Sequence, residues 1–369
     1  MIYDTVVIGA GIAGCSIAYF LKKRDQKVLL IDKIGVASGG SGAAGAFLSP
    51  KIGVSSPLKD LTDDAFNFTI DFYKKNFPQY YHQTGVIRVP KNELDASKTS
   101  KYSKFHNAKY EELTPAQVSS LGFNVKYNST LFFDGGTCDA REICMELAKD
   151  IDFLCFDVKD ITKTDDIWMV GDKKVKNIVL ATGFENSLFD MRYMGIKGTW
   201  GNRADFSSQL KLDVSLHESL SISANMGGVI KLGATHELEV KEPKPCDDSK
   251  SYELLKNASN MIDISDFKLI KTYCGMRSGS RDFSPVVGKV IDATRMFEYP
   301  YIFDGRKYPT IYHDNLYILN GLGARGFVLA PYLANELTNL IVEQKPIDKR
   351  ANADRLFWNW VRKLNRGFL

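Results

Sequence analysis

The amino-acid sequence predicts an α/β fold in which a Rossmann-like nucleotide-binding domain is joined to a second, sheet-rich α+β domain. An apolar strand, a glycine turn, a helix and a second strand follow one another within the first 32 residues. A strand, a glycine turn and a long apolar helix recur at residues 316–341, and short strand patterns dominate residues 190–310. Strands that alternate with helices indicate a parallel sheet, whereas a run of short strands indicates a separate sheet.

The 369 residues have the composition of an ordinary globular protein, with 44% hydrophobic and 25% charged residues. This composition excludes collagen, a coiled coil and extended disorder. The net charge of +4 suits an anionic ligand or nucleic acid without requiring either. There is no apolar run of about 18 residues, so no membrane span is expected. The six cysteines form no CxxC pair and no zinc spacing with histidine, which predicts reduced cysteines in a cytoplasmic protein.

The first strand, glycine turn and helix predict a site for a dinucleotide. Gly9, Gly11 and Gly14 form a G-x-G-x-x-G pattern between the apolar strand and the helix. Glycine lets the backbone turn tightly and approach a pyrophosphate, which binds at the positive end of the helix. Asp32 closes the second strand, where an acidic side chain binds the adenosine ribose. The contacts predicted for this unit are Gly9, Gly11, Ile12, Ala13, Gly14, Asp32 and Lys33.

The other elements each have a signal of their own. Apolar runs bounded by glycine or polar residues predict strands at 3–8, 27–31, 85–89 and 177–183. Apolar residues at helical spacing predict helices at 12–24, 58–77 and near 250–261. Thr114 and Pro115 predict the capped start of a helix, and Asp139 with Glu142 has the spacing of a capping box. Residues 91–112 form a polar insertion.

Two further glycine-rich runs predict that the dinucleotide is FAD. One run, at residues 37–47, follows the second strand, and another, at residues 320–327, lies between a late strand and the long helix. Several loops that reach one extended cofactor favour FAD, and a helix that begins near Arg325 would place its positive end by the flavin. The additional contacts predicted are Ser38, Gly39, Gly42, Ala43, Ala44, Gly45, Ala181, Thr182, Gly183, Gly321, Gly323, Ala324, Arg325, Gly326 and Phe327.

These motifs together resemble the D-amino-acid-oxidase superfamily of flavoproteins. The resemblance is carried by the first glycine turn with Asp32, "VLATG" at 179–183, "GMRSGSRDFSPVVG" at 275–288 and "GLGARGFVLAP" at 321–331. It implies an FAD-binding domain of the glutathione-reductase and D-amino-acid-oxidase type. Within the superfamily, "DGGTC", "CGMR" and "GARG" are similar to the FAD-dependent C-terminal domain of bifunctional tRNA-uridine-modifying enzymes. Asp32 stands where the superfamily commonly has glutamate.

The resemblance also implies roles for the arginines. Arg277 corresponds to the arginine that holds a substrate carboxylate in the superfamily, and Arg325 is expected to assist it as the second catalytic residue. A guanidinium binds a carboxylate through two parallel hydrogen bonds, which fixes the reacting carbon. Arg281 and Asp282 are expected to form a local ion pair. Some relatives attach FAD covalently to a cysteine that would align with Gly275. Cys274 is one residue away, so no covalent bond between Cys274 and FAD is expected.

The reaction implied is the oxidative cleavage of a C–N bond in an N-substituted glycine. The expected substrate is 5-carboxymethylaminomethyl(-2-thio)uridine at the wobble position of a tRNA, converted to 5-aminomethyl(-2-thio)uridine with release of glyoxylate. Two alternatives stay open at this stage. One is a small-molecule amine oxidase acting on glycine, sarcosine or a D-amino acid, and the other is a flavin-containing tRNA-binding partner without turnover.

The expected partners follow from the same resemblance. The sequence holds no counterpart of the methyltransferase half of the bifunctional enzymes, so a separate methyltransferase is a candidate partner. Residues 349–369 suit tRNA because cations neutralise phosphates and aromatic rings stack on unpaired bases. The alternative is an amphipathic helix that buries its rings in the protein. The side chains concerned are Lys349, Arg350, Arg355, Arg362, Lys363, Arg366, Phe357, Trp358 and Trp360.

The order of these signals predicts two discontinuous domains. The FAD-binding domain is expected to take residues 1–80, 135–187 and 312–369, and the substrate domain residues 81–134 and 188–311.

Overall fold

The structure, a computed structural model, describes residues 2–102, 107–185, 187–238, 240–304, 306 and 308–365. The helices in these residues are α1 Ile12–Lys22, α2 Pro57–Asn76, α3 Glu93–Tyr102, α4 Pro115–Ser120, α5 Ala140–Ala148, α6 Asp248–Ala258, α7 Ala293–Met296, α8 Gly326–Glu343 and α9 Asp354–Asn365. Short 3-10 turns lie at Arg192–Met194, Ile302–Asp304 and Gly323–Arg325.

The strands of the described residues form three sheets. They are β1 Ile2–Ile8, β2 Val28–Asp32, β3 Phe47–Leu48, β4 Tyr81–His82, β5 Val86–Arg88, β6 Tyr110–Leu113, β7 Ser129–Phe132, β8 Gly136–Cys138, β9 Asp152–Cys155, β10 Ile161–Thr164, β11 Ile167–Val170, β12 Lys173–Leu180, β13 Lys197–Ser207, β14 Ser215–His217, β15 Ser221–Ile222, β16 Val229–Gly233, β17 Lys268–Gly279, β18 Val286–Ile291 and β19 Tyr312–Asn320.

The first sheet is the nucleotide-binding sheet that the sequence predicts. Its order is β10-β11-β12-β1-β2-β9, and β19 pairs with both β12 and β18. Strands β12, β1, β2 and β9 run parallel, and β19 runs parallel to β12. Residues such as Val7 and Leu30 pack towards α1, α2, α5 and α8, whereas Val6 and Ile31 pack towards α9. Helices on both faces explain the continuous apolar runs at residues 6–8, 28–31 and 178–180 of β1, β2 and β12.

The second sheet has the order β17-β13-β16-β15-β14-β5-β7-β6 and is mostly antiparallel. Its own core contains Phe206, Leu216 and Leu254, the last of which lies on α6. Strands β3, β8 and β4 form a small third sheet. The predicted α/β class with a separate sheet-rich part is therefore confirmed. Strand β18 lies in the range expected for the substrate domain, but it pairs with β19 in the first sheet.

Most predicted helices are present, and one predicted cap is wrong. Helix α2 spans nearly the predicted range, and Thr114 forms a capping box with Gln117 at the start of α4. Asp139 precedes α5 but makes no capping hydrogen bond. Its carboxylate instead accepts from Nε2 of His82 at 2.8 Å and from Nζ of Lys231 at 3.3 Å. These partners join two sheets, and no local spacing reveals them.

Phe357 and Trp360 are buried and Trp358 is partly buried, as the second interpretation of the C-terminal segment expected. Phe357 and Trp360 of α9 pack against Tyr193 beneath the first sheet. Arg355 of α9 donates to both carboxylate oxygens of Asp282, at 2.8 and 2.9 Å. Arg350 pairs with Asp348 and Asp64, and Arg366 lies outside the described residues. None of the helices in the described ranges combines the length and apolar character that crossing a membrane requires.

Candidate functional site

A cavity of about 850 Å³ lies between the first and second sheets. One end is formed by the loops that follow β1, β2 and β12, and the other by β13, β17 and the start of α8. Ligands of parallel α/β sheets bind beyond the carboxyl ends of the strands, which is where the first end lies. The two ends are called here the nucleotide end and the substrate end.

Close backbone contacts explain the first glycine turn. A Cβ atom on Gly9 would lie 2.3 Å from the carbonyl oxygen of Ala181, and Gly9 has a φ of +103°. A Cβ atom on Gly14 would lie 1.7 Å from the carbonyl oxygen of Gly9. Glycine at both positions therefore lets α1 begin directly above β1, with its first amide groups facing the cavity. This arrangement fits a pyrophosphate.

Ser41 contributes to the same end, although the sequence did not single it out. Its Oγ accepts a hydrogen bond from the backbone N–H of Ile12 at 2.9 Å. The hydroxyl can still donate its own proton, so it is suited to a phosphate oxygen above the first turn of α1. A serine inside the run "SGGSG" was the available signal.

Asp32 is bound more tightly to the protein than the sequence suggests. One carboxylate oxygen accepts the N–H of Ala10 at 2.8 Å, and the other accepts the N–H groups of Ile34 and Gly35 at 2.9 and 3.0 Å. These bonds shape the turn after β2. Asp32 also lines the cavity. Its contact with a ribose stays a prediction. Lys33 lines the same end and is paired with Glu185 at 2.6 Å.

The glycine-rich run at residues 37–47 packs against β17. A Cβ atom on Gly40 would lie 2.4 Å from the carbonyl oxygen of Met276, and one on Gly275 would lie 2.9 Å from Cα of Gly40. The cavity wall includes these predicted contacts: Gly9, Gly11, Ile12, Ala13, Asp32, Lys33, Ser38, Gly39, Ala43, Ala44, Gly45, Ala181, Thr182, Gly183, Gly323, Ala324, Arg325, Gly326 and Phe327.

Three predicted contacts lie behind the wall rather than in it. Gly14 is pressed against Gly9, and a Cβ atom on Gly42 would lie 2.1 Å from the carbonyl oxygen of Ala37. Gly321 has a φ of +69° and faces Val286. Glycine at these positions serves close packing and turns. That the three glycines touch the cofactor stays a prediction.

Asn320, at the end of β19, connects three elements at the middle of the cavity. Its side-chain amide donates to the carbonyl oxygen of Gly183 at 2.8 Å. Its oxygen accepts the N–H of Gly321 at 2.7 Å and the hydroxyl of Ser278 at 3.0 Å. Asn320 is buried, so these bonds fix the loops after β12 and β19 to β17. Asn320 was not among the site residues predicted from the sequence.

Arg277 on β17 lies at the substrate end with its guanidinium over Gly201. A Cβ atom at Gly201 would lie 2.4 and 2.5 Å from the two terminal nitrogens of Arg277, so only glycine leaves this space. Nη1 donates to the carbonyl oxygen of Thr235 at 3.1 Å and contacts Nδ1 of His236 at 3.3 Å. Burial lowers the pKa of Arg277 below its ordinary value. Across the described ranges, no carboxylate pairs with it.

Arg325 precedes α8 and faces the same end of the cavity. Its Nη1 donates to the carbonyl oxygen of Ser49 at 3.3 Å. Burial, with repulsion from Arg88 and partial compensation by Asp63, lowers the pKa of Arg325 to about 10. The guanidinium is therefore still charged at neutral pH.

The two ends of the cavity differ in charge. The acidic residues of its wall, within the described residues, are Asp32, Asp157 and Glu185, all at the nucleotide end. Two histidines join the arginines at the substrate end. Burial, Arg88 and Arg325 lower the pKa of His217 to about 3, and burial with Arg277 lowers the pKa of His236. Both rings are neutral at pH 7, so the substrate end suits an anion.

Two expectations about neighbouring residues are wrong. Cys246 and Cys274 form a disulfide, although reduced cysteines were expected. It ties the segment that contains Pro243 and Lys244, which line the cavity, to β17. The Cys274 sulfur is thus bonded to Cys246. That FAD is bound non-covalently stays a prediction. Asp282 pairs with Arg355 rather than with Arg281, because α9 presents its guanidinium to both carboxylate oxygens.

Residues 4–340 match the family described as "DAO: FAD dependent oxidoreductase". Because the match covers most of the chain, the protein belongs to this family and is an FAD-dependent oxidoreductase. The glycine turn, the amide groups of α1 and the Ser41 hydroxyl fit this cofactor.

The chain is similar to curated relatives that carry a tRNA-modification name. One is the tRNA 5-methylaminomethyl-2-thiouridine biosynthesis bifunctional protein MnmC of Legionella pneumophila (strain Lens), 26% identical over 91% of this chain and 54% of the relative. The MnmC of Campylobacter fetus is 24% identical over 99% of this chain and 61% of the relative. The chain therefore spans little more than half the length of these relatives.

Solved structures support the fold. Glycine oxidase from Geobacillus kaustophilus superposes with a TM-score of 0.77 at 18% identity, covering 94% of this chain and 95% of that one. L-proline dehydrogenase from P. horikoshii superposes with a TM-score of 0.75 at 17% identity, covering 100% and 99%. At these identities the comparison shows the architecture alone.

Proposed function

We propose that the protein oxidises the carboxymethylaminomethyl group of 5-carboxymethylaminomethyl(-2-thio)uridine at the wobble position of tRNA. The products are 5-aminomethyl(-2-thio)uridine and glyoxylate. The observation that carries the proposal is the Arg277 guanidinium, which has no carboxylate partner among the described residues and lies at the substrate end of a cavity that fits FAD. The names of the MnmC relatives support the choice of tRNA as the substrate.

The substrate end can hold an N-substituted glycine in one orientation. Arg277 binds the carboxylate. The neutral histidines beside it carry no negative charge that would compete with the carboxylate and no positive charge that would repel the guanidinium. The carbon between the carboxylate and the nitrogen is then held at a fixed place in the cavity. FAD bound in the cavity would supply the two-electron oxidation that converts the bond between this carbon and the nitrogen into an imine. Water adds to the imine carbon, and the C–N bond breaks to release glyoxylate.

Arg325 is proposed as the second cation of the site. Its position at the start of α8 adds a full positive charge to the positive end of the helix. Both favour negative charge in the cavity, whether on the substrate or on the reduced cofactor.

The test of this function is mass spectrometry of tRNA nucleosides. The purified protein is incubated with tRNA that carries 5-carboxymethylaminomethyluridine, and the nucleosides are then quantified. The proposal expects loss of that nucleoside, an equal gain of 5-aminomethyluridine, and one glyoxylate per conversion. An unchanged nucleoside profile, with the protein's FAD bound, contradicts it.

A second candidate is a small-molecule amine oxidase acting on glycine, sarcosine or a D-amino acid. The burial of Phe357 and Trp360 favours it, because these rings cannot stack on RNA. Arg350 and Arg355, two of the residues expected to bind phosphates, are also paired with carboxylates of the protein. Peroxide release with these amino acids, and none with tRNA, would favour this candidate. The third alternative, a flavin-containing tRNA-binding partner without turnover, is not favoured, because the family to which the chain belongs is one of oxidoreductases.

A further inference from the structure

We propose that His236 is a positioning residue that orients Arg277, so that the Nε and Nη2 edge of its guanidinium faces the substrate carboxylate. The inference rests on the proposed function, because it assigns a role within the same substrate site.

The backbone places His236 next to Arg277. The N–H of Thr235 donates to the carbonyl oxygen of Asn202 at 3.1 Å, and the N–H of Glu237 donates to that of Trp200 at 2.8 Å. His236 therefore lies opposite Gly201 on β13. Side chains of neighbouring strands that lie opposite share a face of the sheet, so His236 and Arg277 meet above the space that Gly201 leaves open.

The contact fixes the tautomer of the imidazole. Nη1 of Arg277 lies 3.3 Å from Nδ1 of His236. A guanidinium has donors only, so Nδ1 must accept, and the ring proton of the neutral imidazole is on Nε2. Arg277 adds its own charge to the burial that keeps this ring neutral, with a smaller contribution from Lys91. A neutral acceptor orients the cation without cancelling its charge.

The same contact leaves one edge of Arg277 available. Nη1 is used by the Thr235 carbonyl and by His236. Nε and Nη2 have no hydrogen-bond partner in the part of the chain that the structure describes, and both Arg277 and His236 line the cavity. Two adjacent N–H groups in one plane match the two oxygens of a carboxylate. An acidic residue in place of His236 would compete with the substrate for the cation.

The test compares substitutions that keep different halves of the imidazole. In His236→Asn the side-chain oxygen replaces Nδ1 as the acceptor, whereas in His236→Gln the amide nitrogen replaces the Nε2 donor. His236→Leu removes both. Each protein, with its FAD bound, is mixed without oxygen with tRNA that carries 5-carboxymethylaminomethyluridine. The bleaching of the flavin gives a limiting rate and a Kd, and flavin content and Tm verify folding.

We expect the ratio of limiting rate to Kd to fall about 10-fold to 100-fold in His236→Gln and His236→Leu, since a hydrogen bond to a charged group is lost. His236→Asn should lower it less than about threefold. In an Arg277→Lys background, His236→Gln should add less than about twofold, because the residue acts through Arg277.

Recovery by Gln rather than Asn overturns the inference, because it would mean that Nε2 acts on the substrate itself. Equal kinetics in all variants, or an undiminished effect of His236→Gln in the Arg277→Lys background, also overturn it. If sarcosine bleaches the wild-type protein but the tRNA does not, the proposed function fails instead, and the same comparison of His236 variants is then made with sarcosine. The two failures are therefore distinguishable.

Discussion

The nucleotide end and the substrate end of the cavity are built in different ways. At the nucleotide end, backbone groups do the binding, and small residues permit the approach: Gly9 and Gly14 bring α1 onto β1. At the substrate end, charged and polar side chains on separate strands meet, as Arg277 and His236 do. The first end depends on local sequence and the second on strand register. Substitutions at the two ends should therefore separate cofactor binding from substrate binding.

The largest effect is expected from Gly14→Ala at the nucleotide end. The added Cβ atom would lie 1.7 Å from the carbonyl oxygen of Gly9, so α1 must move away from β1. We expect the purified variant to lose its bound FAD, measured by its visible absorbance. Gly53→Ala is the control, because nothing lies within 4 Å of its Cβ position. A yellow Gly14→Ala protein with full FAD content would show that the turn is not what binds the cofactor.

Arg277→Leu should affect the substrate end and leave FAD bound. Losing a bidentate, charge-assisted contact should lower kcat/KM by about 100-fold or more. Steady-state glyoxylate release measures this effect, and flavin absorbance verifies that the cofactor remains. Lys176→Gln, which breaks a surface pair with Asp4, is the control and should change kcat/KM less than about twofold. A variant that loses FAD together with activity would show that the two ends are not separable.

Asn320→Leu tests the connection between the two ends. It leaves the part-buried carbonyl oxygen of Gly183 and the buried N–H of Gly321 without their partner. We expect the free energy of unfolding to fall by about 2 kcal/mol, measured by urea denaturation. Asn359→Leu, on an exposed part of α9, should change it by less than about 0.5 kcal/mol. Equal losses in the two variants would argue against a special role for Asn320.

The smallest effect concerns the charge of the substrate end. The pKa of His217 is lowered to about 3 in the folded protein from an ordinary value of 6.5. Unfolding therefore takes up a proton below pH 6.5, and stability is lost as the pH falls from 6.5 towards 3. His217→Gln should reduce the loss of unfolding free energy between pH 7 and pH 5.5 by about 1 kcal/mol. Identical pH profiles would mean that His217 titrates normally.

The sequence predicted the nucleotide end well because its pattern is contiguous. Among the residues predicted to contact the cofactor, all except Gly14, Gly42 and Gly321 line the cavity. These three glycines pack behind the lining residues. Asp139 was mistaken for a helix cap because its partners lie on other strands. Local spacing holds no information about such partners.

The substrate end could be predicted only in part. Arg277 was found through the resemblance, but the open space over Gly201 and the acceptor on His236 depend on the pairing of β13 with the segment after β16. The disulfide was missed for the same reason, since Cys246 and Cys274 are separated by 28 residues. Register between distant segments is fixed by packing of the whole sheet.

The decisive measurement is the bleaching of bound flavin, without oxygen, by tRNA that carries 5-carboxymethylaminomethyluridine. It compares the wild-type protein with Arg277→Leu at equal FAD content. We expect rapid bleaching in the wild type, and bleaching at least about 100-fold slower at the same low tRNA concentration in the variant. Equal rates in the two proteins, or a wild-type flavin that stays oxidised, would contradict the assignment of Arg277 as the carboxylate-binding residue of a tRNA-oxidising site.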